Sequence, residues 1–207
     1  MLKTPFFHIS AAIAVTMLFV LNGCMGKSRP PRFYTLTPIS EGTMKTAVVG
    51  PAENAAIGIG PVKLADYLDQ SRIITRSGDN RIGQAEFDQW SGSLKDNLTN
   101  VLAENIGHLL STDQVTVYPW RTYIPIDYQV TVDIVRLDGQ PGKEVVLMAR
   151  WSILDGHEKK LLTMKRSDIR EESGASGYEG LVAAQSRALG RLSHQIVEAI
   201  QAAAREQ

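Results

Sequence analysis

The chain is almost without thiols: Cys24 is its only cysteine in 207 residues. No disulfide can close within it, and no cysteine-based metal site can be built. Histidine is scarce as well. His108, His157 and His194 are scattered through the body and share no ligand spacing with acids, which argues against zinc. An excess of one charge is missing too. The 22 Lys and Arg balance 22 Asp and Glu, so there is no basic stripe for nucleic acid. Apart from one N-terminal stretch, long apolar runs are absent, and that stretch is shorter than the roughly 20 residues a membrane-spanning helix needs. Catalytic signatures are incomplete. Gly174-Ala175-Ser176-Gly177-Tyr178 lacks the last glycine of a nucleophile elbow. Gly58-Ile59-Gly60-Pro61 lacks the third glycine of a dinucleotide loop. Asp66 and Asp69 could pair as carboxylates, but no nucleophile or base accompanies them. Asn97-Leu98-Thr99 matches a glycosylation sequon in the middle of a helical pattern. We therefore expect no catalytic residue, no cofactor and no metal.

What is present begins at the N-terminus. Lys3 precedes an apolar stretch from about Ile9 to Leu21, followed by Asn22, the small residue Gly23 and then Cys24. A basic start, a short apolar core and a small residue at the cut describe a secretory signal peptide. Cysteine directly after that residue reads as a bacterial lipobox. Residues 1–23 would be removed and Cys24 acylated, palmitate being one such chain. An ordinary signal peptide with a stray or structurally buried cysteine is the alternative. One acyl chain binds membranes only marginally, and two or three make a lasting anchor. Residue 25 is Met rather than the Asp that retains many such proteins at the inner membrane. That points to the outer membrane, facing the periplasm. Cleavage leaves 184 residues with 21 basic and 22 acidic side chains, enough for one domain with a real core. The expected organisation is 1–23 signal peptide, 24–32 lipidated tether and 33–207 one periplasmic domain. The tether reaches about 25–30 Å at full extension, so it holds the body close to the membrane.

Phe33–Leu36 reads as a short strand ended by Pro38. Residues 39–55 hold few large apolar side chains and read as a mobile loop. Ala56–Val62 reads as a strand ended by Pro61. Arg72–Arg76 and a short strand at 80–82 flank Ser77-Gly78-Asp79, a hairpin signal. A helix follows from about Gln84 or Ser91 to Leu110, with Leu94, Leu98, Val101, Leu102, Asn105 and Leu109 on one face. Val115–Tyr118 reads as a strand. A three-strand meander comes next, carried by the alternation of Tyr128, Val130, Val132 and Ile134 and of Val145, Leu147, Ala149, Trp151 and Ile153, then by Leu161–Ile169. Asp138-Gly139 and Pro141-Gly142 supply its first turn and Asp155-Gly156 its second. Ser176 and Glu179 have capping-box spacing, and Leu181, Gln185, Ala188, Leu189, Leu192, Ile196 and Ile200 form the stripe of a final helix. The expected fold is α+β: an antiparallel-dominated sheet with two long helices on one face.

Pro61–Ser71 reads as a surface loop carrying Leu64, Tyr67 and Leu68. It is either a cap over the core or a partner interface, where amphipathic tyrosine is favoured. Trp90, Trp120 and Trp151 read as core.

Several segments, in order, resemble the PqiC/YmbA family of ABC transport auxiliary lipoproteins. They are Arg32–Leu36, Ile59–Asp69, Ile73–Arg76, Ala85–Trp90, Val101–Asn105, Pro119-Trp120, the strand around Val130-Thr131-Val132, and Leu181–Ala184. The resemblance spans essentially the whole mature chain. It implies a non-enzymatic accessory, docked at the outer membrane, for an MCE-domain protein that carries lipids between membranes and supports membrane integrity. A homo-oligomer is compatible with this. The rival is a lipoprotein that carries a small hydrophobic ligand, or a hydrolase, using a pocket between sheet and helices. An apolar pocket large enough for an acyl chain would favour the rival.

Overall fold

The computed structural model describes residues 29–39, 50–174 and 176–206. The expected signal peptide, Cys24 and residues 25–28 of the tether lie outside the described residues, as do residues 40–49 of the long loop. The chain divides into Met1–Pro30 and Pro31–Gln207. The second unit holds every strand and helix among the described residues.

Its elements are β1 (Arg32–Tyr34), β2 (Ile57–Leu64), β3 (Arg72–Arg76), β4 (Ile82–Trp90), α1 (Leu94–Leu110), β5 (Val115–Val117), β6 (Tyr128–Gly139), β7 (Glu144–Asp155), β8 (Leu161–Glu172) and α2 (Tyr178–Arg205). Five strands form one sheet in the order β5-β2-β6-β7-β8, and three form another in the order β1-β4-β3. The expected α+β class holds, and the longest pairings, β6 with β7 and β7 with β8, are antiparallel. The meander arises where the sequence alternates. Tyr128, Val130, Val132 and Ile134 are buried, while Gln129, Thr131 and Asp133 are half-buried. α1 packs on β2 and β5, α2 packs on β7 and β8, and the helices pack on each other. The inner helix faces are the expected stripes. Leu98, Leu102, Leu189, Leu192, Ile196 and Ile200 are all fully buried. Trp90 and Trp151 are buried as expected.

Several boundaries differ from the sequence reading, each for a physical reason. β2 does not stop at Pro61. Its parallel register with β6 shifts between Ile59 and Val62, and proline is tolerated at such a bulge because no ladder N–H is demanded there. β2 also runs parallel to both its neighbours. β4 extends to Trp90, where the helix could have begun at Gln84. α1 begins at Leu94, and the Ser93 hydroxyl accepts from the Asp96 N–H at 3.2 Å. That bond satisfies one of the orphan donors of the first turn. The first meander turn is Gln140–Lys143, closed by the Lys143 N–H to the Gln140 carbonyl at 3.0 Å. Asp138 and Gly139 instead end β6, paired with Val146 and Val145. The expected capping box at Ser176 and Glu179 does not form. Gly177 occupies the cap at φ 113° with no side-chain cap bond, a conformation that glycine alone adopts without strain.

Candidate functional site

The first part of the site is the segment that joins the tether to the body. β1 pairs parallel with β4, Arg32 opposite Asp88 and Tyr34 opposite Trp90. Asp88 is buried. It accepts from Arg32 Nη2 at 2.9 Å and from the Tyr34 hydroxyl at 2.7 Å. Burial, and then the bond to Asp88, hold the Tyr34 phenol above its usual pKa. Beyond β1, residues 35–39 leave the sheet and run along both helices. A segment without a strand neighbour must find other partners for its buried N–H groups. Helix side chains supply them: Leu36 N–H donates to Asn97 Oδ1 at 2.7 Å, Thr37 N–H to Ser186 Oγ at 3.1 Å, and Ile39 N–H to Asn105 Oδ1 at 2.8 Å. Asn105 is fully buried and also donates from Nδ2 to Ser193 Oγ at 3.3 Å. Farther on, Ala52 is buried and its N–H donates to Gln201 Oε1 at 3.0 Å. The described end of the long loop is therefore packed. The signal for these contacts is a polar residue interrupting an apolar stripe, as Asn105 does. Nothing in the sequence said which backbone it would serve.

The second part is the junction of the two sheets. Asp138 is fully buried at the end of β6. Its carboxylate accepts from Arg76 Nε at 2.9 Å, Arg136 Nε at 2.8 Å and the Tyr67 hydroxyl at 2.8 Å. The Arg76 guanidinium also lies 5.7 Å over the Tyr67 ring. Burial pushes the Asp138 carboxyl up, but the bonds from Arg76, Tyr67 and Arg136 outweigh it and hold the group below its usual range. Burial and the same carboxylate push the Tyr67 phenol up to about 12. The candidates Leu64, Tyr67 and Leu68 thus come together, but not as an exposed apolar stretch. Leu68 is 1% exposed, and Leu64 and Tyr67 are partly buried against the core. The turn Ala65–Leu68, closed by the Leu68 N–H to the Ala65 carbonyl at 2.8 Å, caps the core. The sequence missed Asp138 because Asp-Gly reads as a turn, and Arg76 lies 62 residues away.

The remaining surface offers a groove rather than a tunnel. About 540 Å³ lies open between Thr37, Pro38 and Ile39 on one side and α2 and β8 on the other. Ala183, Gly190, Arg187, Arg191, His194 and Glu171 are among its lining residues. Arg187 and Arg191 both pair with Glu171, at 3.3 and 3.0 Å. Most of the groove's exposed lining is apolar, but it is open to solvent, whereas a carried acyl chain is buried over most of its surface. Asp66 and Asp69 are exposed in the capping turn. His108 and His194 sit on α1 and α2, and His157 pairs with Asp127 at 3.5 Å on the surface. Among the described residues no three potential ligands cluster for a metal ion, and no helix is long and apolar enough to cross a membrane.

The family model of ABC-type transport auxiliary lipoprotein components matches residues 34–197, and the chain belongs to that family. This is the PqiC/YmbA-type kinship that the ordered segments imply. The fold is similar to the crystal structure of an uncharacterized protein at 17% identity and a TM-score of 0.67, covering 83% of this chain and 99% of that one. It is similar also to protein XCC0632 from Xanthomonas campestris, at 14% identity and a TM-score of 0.66, covering 84% and 98%. At such identities the likeness is one of fold. No curated protein matches the sequence.

Proposed function

We propose that the protein is a lipid-anchored, non-enzymatic docking subunit of an MCE-type lipid transport system, held through Cys24 at the periplasmic face of the outer membrane. The match to the auxiliary lipoprotein family over residues 34–197 carries this reading. Two features of the fold support it. The chain entering from the tether is fastened to both sheet and helices, as an anchor point under tension requires. The described groove between residues 37–39 and α2 is partly apolar but lies open to solvent, and does not enclose a carried lipid. The body would stand within about 25–30 Å of the membrane, so a partner spanning the periplasm must come to it.

The test is separation of the envelope membranes followed by mild detergent extraction of the tagged protein. Outer-membrane fractionation with co-purification of an MCE-domain protein supports the proposal. A protein in the soluble fraction, or one extracted from membranes without any MCE-domain partner, counts against it.

A further inference from the structure

The three-stranded sheet presents a second face, turned away from Asp88. β1 alternates: Arg32 and Tyr34 turn inward to Asp88, so Phe33 turns outward and is 62% exposed. Phe33 is in register with Gln89 of β4, and Gln89 is in register with Arg72 of β3. Register partners share a face. Phe33, half-buried Gln89 and exposed Arg72 therefore form one row across the sheet.

The chain itself says what this row can meet. Phe33 is the ninth residue after Cys24, and the residues between are Met-Gly-Lys-Ser-Arg-Pro-Pro-Arg. They carry Lys27, Arg29 and Arg32 and no acid. Nine residues span at most about 30 Å, and Pro30-Pro31 favours an extended path. An aromatic side chain at the mouth of a short, purely cationic tether has the chemistry of an interfacial contact. Its ring suits the boundary between headgroups and acyl chains, and Lys27 and Arg29 suit lipid phosphates, Arg32 being held by Asp88 on the other face.

We propose that the Phe33–Gln89–Arg72 row rests on the lipid bilayer, with the Phe33 ring at headgroup depth and Arg72 on lipid phosphates. This rests on the lipid-anchored reading and adds an orientation to it: the three-stranded sheet faces the membrane, and the row is not a protein interface.

The test uses the acylated full-length mature chain in vesicles of phosphatidylcholine with phosphatidylglycerol. Phe33→Trp places a reporter on the row, and Leu161→Trp places one at an exposed position of the other sheet. Flotation reads anchoring, and quenching by brominated lipids reads depth. The expected result is that both variants float, that only the Phe33→Trp emission shifts to the blue and is lost to bromolipids, and that adding Arg72→Glu reduces that loss. Floating protein in which Phe33→Trp is quenched no more than Leu161→Trp overturns the orientation while leaving the anchor standing. A blue shift without quenching shows that protein covers the ring, and also overturns it. Protein that does not float sinks the anchored reading and this inference with it.

Discussion

The Tyr67 hydroxyl donates to Asp138 Oδ2 at 2.8 Å, joining a surface turn to the end of β6 across 71 residues of sequence. Arg76 and Arg136 complete the shell around that carboxylate. Asp138→Ala would leave those cations without their buried partner, at a cost of about 3–5 kcal/mol. Tyr67→Phe removes one bond to a charged group, about 1.5–3 kcal/mol. Urea unfolding of both variants at neutral pH measures these costs.

The same cluster gives stability a dependence on pH at both ends. The Asp138 carboxyl is held below its ordinary 3.8. Its contribution is complete above that value and is lost as pH falls through the lower folded value. The Tyr67 phenol is raised from 10.0 to about 12. Its contribution is complete below 10.0 and is lost as pH rises through about 12. Tyr67→Phe should therefore flatten part of the alkaline decline in unfolding midpoint. Tyr34, Tyr128 and Tyr178 are also raised and keep the remainder. An unchanged alkaline limb would show that Tyr67 does not titrate in this way.

The buried helix faces carry the core. Leu98, Leu102, Leu189 and Leu192 are each fully buried, and truncation of any one to Ala should cost about 2–5 kcal/mol. Leu68→Ala should fall in the same range, as expected of a core cap. Lys95→Ala, on an exposed face, should cost under about 0.5 kcal/mol. Thermal melts of the series test the assignment of faces.

The strap along the helices can be loosened from the helix side. Asn105→Ala removes the acceptor of the partly buried Ile39 N–H and should cost about 0.5–1.5 kcal/mol for that bond. Hydrogen exchange at the Ile39 amide should quicken more than at the amides of β7.

Gly156 is fixed by a neighbour rather than by its own torsion. A Cβ there would collide with the backbone carbonyl of Ile126, and Gly156 N–H already donates to the Asp127 carbonyl at 2.8 Å. Gly156→Ala must push that backbone aside, and we expect a loss of about 1–3 kcal/mol or more, read as a lowered melting temperature.

The helices and the meander were legible because their partners are near in sequence and their periods are regular. Leu181 to Ile200 on α2 and Tyr128 to Ile134 on β6 are the clearest instances. β4 was not legible as a full strand. In Ala85-Glu86-Phe87-Asp88-Gln89-Trp90 the buried positions are Ala85, Asp88 and Trp90, a spacing that suits a helix as well as a bulged strand. Its register with β3 shifts between Arg72 and Ile74. Asp88 and Asp138 were not legible as anchor points, because Asp88 draws Arg32 and Tyr34, and Asp138 draws Arg76 and Tyr67 beside its near neighbour Arg136, from strands or turns more than 50 residues away. The segment of Leu64, at the end of β2, and Tyr67 and Leu68, in the turn after it, was legible as a cap or an interface, and Leu68 is buried in the core.

The most direct test of a lipid-anchored docking subunit is recruitment in a defined system. Acylated wild-type protein is reconstituted into vesicles, a purified MCE-domain partner is added, and the vesicles are floated. The partner should rise with vesicles that carry the wild-type chain and stay behind with empty vesicles or with unacylated Cys24→Ala protein. A partner that stays behind in every case, or rises equally with empty vesicles, would contradict the docking role.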